Sequence, residues 1–135
     1  MTVYLMSEQD FEETLVKDTM NRALITVNPE TTCFQIAKMM ENGFIGAVIV
    51  QENAHHVGII TDRDFAIKIA ANRLSYDTPA KTIMSFPLVT INQEKSISEA
   101  AKTMSIMNIR KLAVSENNKI VGIITSTDVV NQLTK

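Results

Sequence analysis

Shifted by 64 positions, the chain matches itself without a gap, Lys17–Asp64 lying on Lys81–Asp128 with roughly two-fifths of the positions identical. Met20 falls on Met84, Leu24 on Leu88, Thr26 on Thr90, Asn28 on Asn92 and Glu30 on Glu94. Ala37, Lys38 and Met40 fall on Ala101, Lys102 and Met104. The run Val57-Gly58-Ile59-Ile60-Thr61 returns as Val121-Gly122-Ile123-Ile124-Thr125, and Asp64 returns as Asp128. Such a chain must fold as two copies of one supersecondary unit. A unit of about 60 residues buries its core only marginally by itself, so the copies are expected to pack as a pseudo-two-fold pair.

Each copy reads as β-α-β-β-α, which places the fold in the α/β (α+β) class. The β-branched runs Leu24–Val27 and Leu88–Ile91 are short strands ending in turn residues Asn28-Pro29 and Asn92-Gln93. A helix follows, opened by the capping-box patterns Thr32 with Gln35 and Ser96 with Glu99. Cys33, Ile36, Ala37 and Met40 share one face of it, as do Ile97, Ala100, Ala101 and Met104 in the second copy. Gly43 is placed to end the first helix in the left-handed conformation. Two strands come next, 47–50 with 57–60 and 112–114 with 120–124, joined by Glu52-Asn53 and Glu116-Asn117-Asn118, before a last helix from Thr61 or Thr125. Lead-in turns precede each copy at 14–20 and 79–84, the latter with Thr78 as N-cap and Pro79 as first helical residue. The expected organisation is a lead segment 1–13, a first repeat 14–72 and a second repeat 78–135. In the lead segment Ser7 and Asp10 form a cap pattern and Phe11 and Leu15 lie one turn apart, predicting a short helix that packs on the module.

Composition narrows the function classes. A net charge of −2 and no basic stripe argue against a nucleic-acid partner. No apolar run reaches the roughly 20 residues that span a bilayer, and the acidic start lacks a basic leader region, so a cytoplasmic protein without a membrane partner is expected. Cys33 is the single cysteine; at an apolar helix start it reads as a buried structural thiol. The eight methionines read as adaptable core filler. His55 and His56 fall in the turn between two strands, with no further histidine to complete a metal site. No nucleophile–base pairing has supporting context, so neither an enzyme nor a metal site is expected.

The informative segment is Gly58-Ile59-Ile60-Thr61-Asp62-Arg63-Asp64 with its copy Gly122-Ile123-Ile124-Thr125-Ser126-Thr127-Asp128. Two readings share its geometry. Thr61 and Thr125 cap helices while Asp64 and Asp128 favour the positive end of the dipole. Equally, free N–H groups and hydroxyls at a helix start suit phosphate, and an acceptor-only carboxylate suits the two hydroxyls of a ribose. Strand edges at Ile25 and Val89 offer apolar surface and free backbone groups to a purine.

A duplicated unit of this length, ending in Gly-h-h-Thr-x-x-Asp (h, apolar), resembles the tandem cystathionine-β-synthase (CBS) domain pair, over about Val16 to Leu133. The wording of Ile60–Asp64 and Ile109–Val114 is similar to that of small stand-alone members. The resemblance implies two clefts, each built from both repeats, that bind AMP, ADP, ATP or another adenosyl compound, with no required cofactor. By the family's pattern one cleft joins Thr125, Thr127 and Asp128 to Ile25 and Ile45-Gly46; the other joins Thr61, Arg63 and Asp64 to Val89 and Ile109-Arg110. Asp64 and Asp128 would take ribose, and Thr61, Thr125 and Thr127 would face phosphate. Arg63 and Arg110 would add charge to one cleft, Lys111 to the other. The copies differ at Gly46-Ala47 against Arg110-Lys111 and at Asp62-Arg63 against Ser126-Thr127, so unequal affinities are expected.

The stretch Phe65–Ala71 carries one charge, and a helix apolar nearly all round must be covered on more than one side. The expected cover is a second copy of the chain, giving a homodimer. The expected function is a non-enzymatic nucleotide-sensing module signalling to an effector protein in trans; the alternative is a ligand-free structural or protein-interaction module.

Overall fold

In a computed structural model, which describes residues 5–43 and 45–134, each repeat supplies one three-stranded mixed sheet. The elements run α1 (Glu8–Glu13), β1 (Thr26–Val27), α2 (Cys33–Gly43), β2 (Ala47–Glu52), β3 (His55–Thr61), α3 (Asp62–Asp64), α4 (Ala80–Ile83), β4 (Thr90–Asn92), α5 (Ile97–Met107), β5 (Lys111–Glu116), β6 (Lys119–Thr125) and α6 (Ser126–Leu133). A 3₁₀ turn spans Val16–Asp18, and Phe65–Ala70 continues α3 as a π-helical segment. In one sheet β1 lies parallel to β2 and β2 antiparallel to β3; β4, β5 and β6 repeat the arrangement, with a bulge at Val50/Gln51 matched at Val114/Ser115. Ala47–Val50 is buried residue after residue, as a strand covered on both faces must be. The hairpin turns place Asn53 and Ala54, and then Asn117 and Asn118, at positive φ, the pairing that matches strand twist in a two-residue loop. His55 and His56 are therefore not in the turn; they open β3 opposite Glu52 and Gln51.

The chain divides into two compact units whose bounds differ from those of the sequence repeats. A central unit is Leu24–Leu88; a terminal unit joins the described residues up to Ala23 with those from Val89 onward. The lead-in of each repeat thus belongs to the unit that holds the other repeat's sheet. In the terminal unit Thr14 C=O accepts from Ile97 N–H at 2.9 Å, Val16 N–H donates to Lys95 C=O at 2.8 Å, and Lys17 N–H donates to Gln93 C=O at 3.0 Å. In the central unit the bonds 64 positions away recur: Thr78 C=O with Cys33 N–H at 2.8 Å, Ala80 N–H with Thr31 C=O at 2.8 Å, and Lys81 N–H with Pro29 C=O at 3.0 Å. These bonds satisfy N–H groups that the first turns of α2, α4 and α5 and the 3₁₀ turn at Val16–Asp18 would leave open. Ion pairs repeat the theme, Lys17–Glu94 at 3.0 Å and Lys81–Glu30 at 2.7 Å.

The cores follow the same exchange. Val16 is fully buried among Ile97, Ala100, Met104, Leu112, Val114 and Ile124, while Ala80 and Ile83 are buried among Cys33, Ile36, Val48, Val50 and Ile60. Met6, Met20, Met40 and Met84 pack against these clusters, as filler residues should. Cys33 is buried, and burial raises its pKa above the ordinary thiol value. The short helix α1 forms with Ser7 Oγ accepting from Asp10 N–H at 3.1 Å, and Phe11 packs on the terminal core.

Local differences from the sequence reading have physical causes. Gly43 is the last residue of α2 and has no positive φ; the left-handed cap occurs in the second copy at Asn108, φ 54°. Residue 44, its counterpart under the offset, lies outside the described residues. Pro79 is the cap residue of α4 instead of its first helical residue, and the Thr78 hydroxyl turns back to Ser75 C=O. Ala37 is exposed, leaving Cys33, Ile36 and Met40 as the buried stripe. The Thr32–Gln35 box closes both ways at 2.9 and 3.2 Å, whereas in the second copy Glu99 N–H bonds to Ser96 Oγ and the Glu99 carboxylate turns to Lys95.

Candidate functional site

Gly58 and Gly122 explain why the signature motif opens with glycine. The lead-in crosses the last strand of each unit at the mutual hydrogen bonds of Asn21 with Ile123 (2.9 and 3.0 Å) and of Ser85 with Ile59 (2.9 and 3.1 Å). A Cβ on Gly122 would lie 2.6 Å from the Asn21 carbonyl oxygen, and one on Gly58 would lie 2.9 Å from that of Ser85. Only glycine lets the backbones approach so closely. Three residues beyond each glycine, the strand ends at Thr61 or Thr125 and the chain turns into helix.

At the second junction Thr125 and Asp128 form a reciprocal capping box. Thr125 N–H donates to Asp128 Oδ2 at 2.9 Å and Asp128 N–H donates to Thr125 Oγ1 at 3.1 Å. The eight-residue α6 that follows is regular, and Val129 anchors it in the terminal core. Thr127 is exposed and Asp128 half-buried. Backbone contact brings Arg110 to this junction, with Ser126 N–H donating to its carbonyl at 2.9 Å. Ile109 and Val89 are half-buried and pack against the same core, so their side chains are shared between packing and surface.

The first junction is built differently. Asp64 is buried to 8% exposure; its Oδ2 accepts from Thr61 N–H at 2.8 Å and from Thr61 Oγ1 at 3.4 Å. Its Oδ1 pairs with Lys68 Nζ at 3.1 Å, and that ammonium also donates to Ile83 C=O at 2.7 Å and Ser85 Oγ at 3.3 Å. Arg63 is exposed, and Gly46 meets this junction through Asp62 N–H donating to its carbonyl at 3.1 Å. Ile45 is half-buried against the central core. Ile25 is exposed, but its carbonyl already accepts from Ile49 N–H at 2.9 Å, which corrects the expectation of a free backbone acceptor there. Thus the central unit gathers Thr61, Arg63 and Asp64 with Gly46, and the terminal unit gathers Thr125, Thr127 and Asp128 with Arg110. Sequence reasoning missed Lys68, although its spacing of four from Asp64 on a helix was a usable signal.

Phe65–Ala70 departs most from expectation. None of its residues is fully buried; Phe65 and Ile69 pack on the central core, while Ala66, Ala70 and Ile67, at 54% exposure, face away from it. Among the described residues the stretch is covered on one side only. A surface depression of about 460 Å³, bordered by Thr26, Asn28, Met39, Gln51 and Asn53, lies at the other end of the central sheet and contains none of the candidate ligand residues.

Comparison with known proteins gives a consistent picture. The family model described as "CBS domain" matches residues 16–71 and 80–135. The chain is 36% identical over 119 residues to the CBS domain-containing protein YhcV of Bacillus subtilis, covering 87% of this chain and 85% of that one. An uncharacterised conserved protein from Pyrococcus horikoshii has a similar structure, with TM-score 0.85, 27% identity, and coverage of 90% and 92%. So does the CBS domain pair of protein MJ0100, solved in complex with 5′-methylthioadenosine and S-adenosyl-L-methionine, with TM-score 0.79, 28% identity, and coverage of 88% and 94%.

Proposed function

The chain belongs to the CBS-domain family, and from that premise we propose that it is a non-enzymatic regulatory module that binds adenosine nucleotides and signals their presence to an effector protein in trans. The observation that carries the reading is the duplicated Thr-x-x-Asp turn, each turn holding a carboxylate at the point where strand gives way to helix. Adenosyl ligands bound to the MJ0100 pair support the ligand class. In this reading Asp64 and Asp128 receive ribose hydroxyls, and Thr61, Thr125 and Thr127 face phosphate. Arg63 and Arg110 balance its charge, and Ile25, Ile45, Gly46, Val89 and Ile109 meet the base. AMP, ADP, ATP and other adenosyl compounds are the ligand set, the protein works in the cytoplasm, and no cofactor takes part. The uncovered face of Phe65–Ala71 pairs with a second copy, giving a homodimer.

A second reading, a ligand-free interaction module, is favoured by one observation: both carboxylates already serve as helix caps. Thermal shift with AMP, ADP, ATP, 5′-methylthioadenosine and S-adenosylmethionine separates the two. Ligand at a hundredfold excess over Kd stabilises the native state by about 2.7 kcal/mol. A shift with at least one compound supports the sensor; no shift with any leaves the interaction module.

A further inference from the structure

We infer that Lys68 latches the Asp64 carboxylate, so that the chain takes one ribose-bearing ligand tightly, at Asp128, and the first turn becomes competent only when the latch is released. This rests on the reading of the two aspartates as ribose acceptors and adds which of them is open.

The two carboxylates differ in how many acceptor positions they have open. An ionised carboxylate offers about four lone-pair sites, and a ribose cis-diol needs two of them. At Asp64 three are filled, by Thr61 N–H, Thr61 Oγ1 and Lys68 Nζ. Among the described residues, Thr125 N–H alone draws on the Asp128 carboxylate, and Oδ1 has no hydrogen-bond or ion-pair partner there. Of the two extra contacts at Asp64, the Thr61 Oγ1 one is long at 3.4 Å and comes from a threonine both copies have; the ion pair is the one that rests on a changed residue. Under the 64-position offset Lys68 corresponds to Gln132, a neutral amide that makes no bond to Asp128 among the described residues. The latch is also fixed from behind: its three contacts, to Asp64 Oδ1, Ile83 C=O and Ser85 Oγ, use all three ammonium protons. A diol must therefore displace an anchored cation that is itself two-thirds covered, its side chain being 37% exposed. A hydrogen bond to a charged group is worth one to two decades in an equilibrium constant, so binding at Asp64 should be roughly 10- to 100-fold weaker than at Asp128.

Isothermal titration with AMP and with 5′-methylthioadenosine tests this on the full chain. Wild type should show one tight site per chain. Lys68→Gln, which copies the second half, should show two, and adding Asp64→Asn to it should remove the new one. Gln132→Lys should weaken the wild-type site by 10-fold or more, as should Asp128→Asn. A gain of a site cannot arise from misfolding, which keeps the Lys68→Gln arm decisive. Binding by the wild type with an unchanged number and affinity of sites in Lys68→Gln overturns the latch and leaves the sensor reading intact. Absence of binding to every variant overturns both.

Discussion

Placing a methyl group on Gly122 tests the close crossing of the Asn21 segment over β6. The Cβ of Gly122→Ala would stand 2.6 Å from the Asn21 carbonyl oxygen and 3.0 Å from Met20 Sδ, and real Cβ contacts essentially never fall below 3.0 Å. Relief requires the Asn21 segment to move off β6, which disrupts the two bonds it exchanges with Ile123. Each such bond is worth about 1 kcal/mol net. Replacing glycine returns about 0.5 kcal/mol or slightly more by restricting the unfolded chain. The net expectation is a loss of about 1–2 kcal/mol, or roughly 4–8 °C in Tm. Gly58→Ala should cost less, about 0.5–1 kcal/mol, because its nearest neighbour is the flexible Met84 sulfur at 2.8 Å and the Ser85 oxygen stands at 2.9 Å. Urea unfolding measures both, and an unchanged slope shows that the midpoint shift reports stability. Gly122→Ala unfolding at the wild-type midpoint would refute the reasoning, as would Gly58→Ala proving the more damaging of the two.

Three further outcomes are expected. Ala54, at φ 66°, occupies the left-handed position that its counterpart fills with Asn118, so Ala54→Asn should raise stability by about 0.5–1 kcal/mol in the same urea assay. Because burial raises the Cys33 pKa, the folded state holds its proton after the unfolded state has lost it. That contribution is complete below the ordinary value of 9.0 and declines as pH rises through it toward the folded value, a decline that Cys33→Ala should lack in melts from pH 8 to 10. Ile67→Asp, on the uncovered face of the π-helical segment, should yield monomers by light scattering where the wild type yields dimers, with little change in monomer stability since Ile67 is 54% exposed.

The repeat made the fold class legible, since Lys17–Asp64 and Lys81–Asp128 can share so many residues only by sharing a backbone. Strand identities followed from β-branched runs such as Val48-Ile49-Val50, and helix starts from the Thr32 and Ser96 patterns. Partnership between distant segments was not legible. That Val16 belongs with Leu112, and Ala80 with Val48, depends on which sheet a lead-in finds, and an alanine or valine carries no label for that. The capping pairs at the candidate site were legible as types at spacings, Thr61 with Asp64 and Thr125 with Asp128. The difference between the two carboxylates was not, because it arises from an ammonium held jointly by Asp64, Ile83 and Ser85, and the last two lie far along the chain.

The exchange of lead-ins means that reading order and folding order disagree. Severed near residue 75, the chain would give two pieces, each with a sheet but without the strap that finishes it. Met6 N–H, near the start, bonds to Leu133 C=O, near the end, at 3.0 Å. Fusing the old termini and opening the chain between Leu88 and Val89 would therefore make the terminal unit contiguous, as the central unit already is. Such a permutant leaves the loops of the central unit unchanged and shortens those that must close before the terminal core assembles, so it should fold faster than its parent.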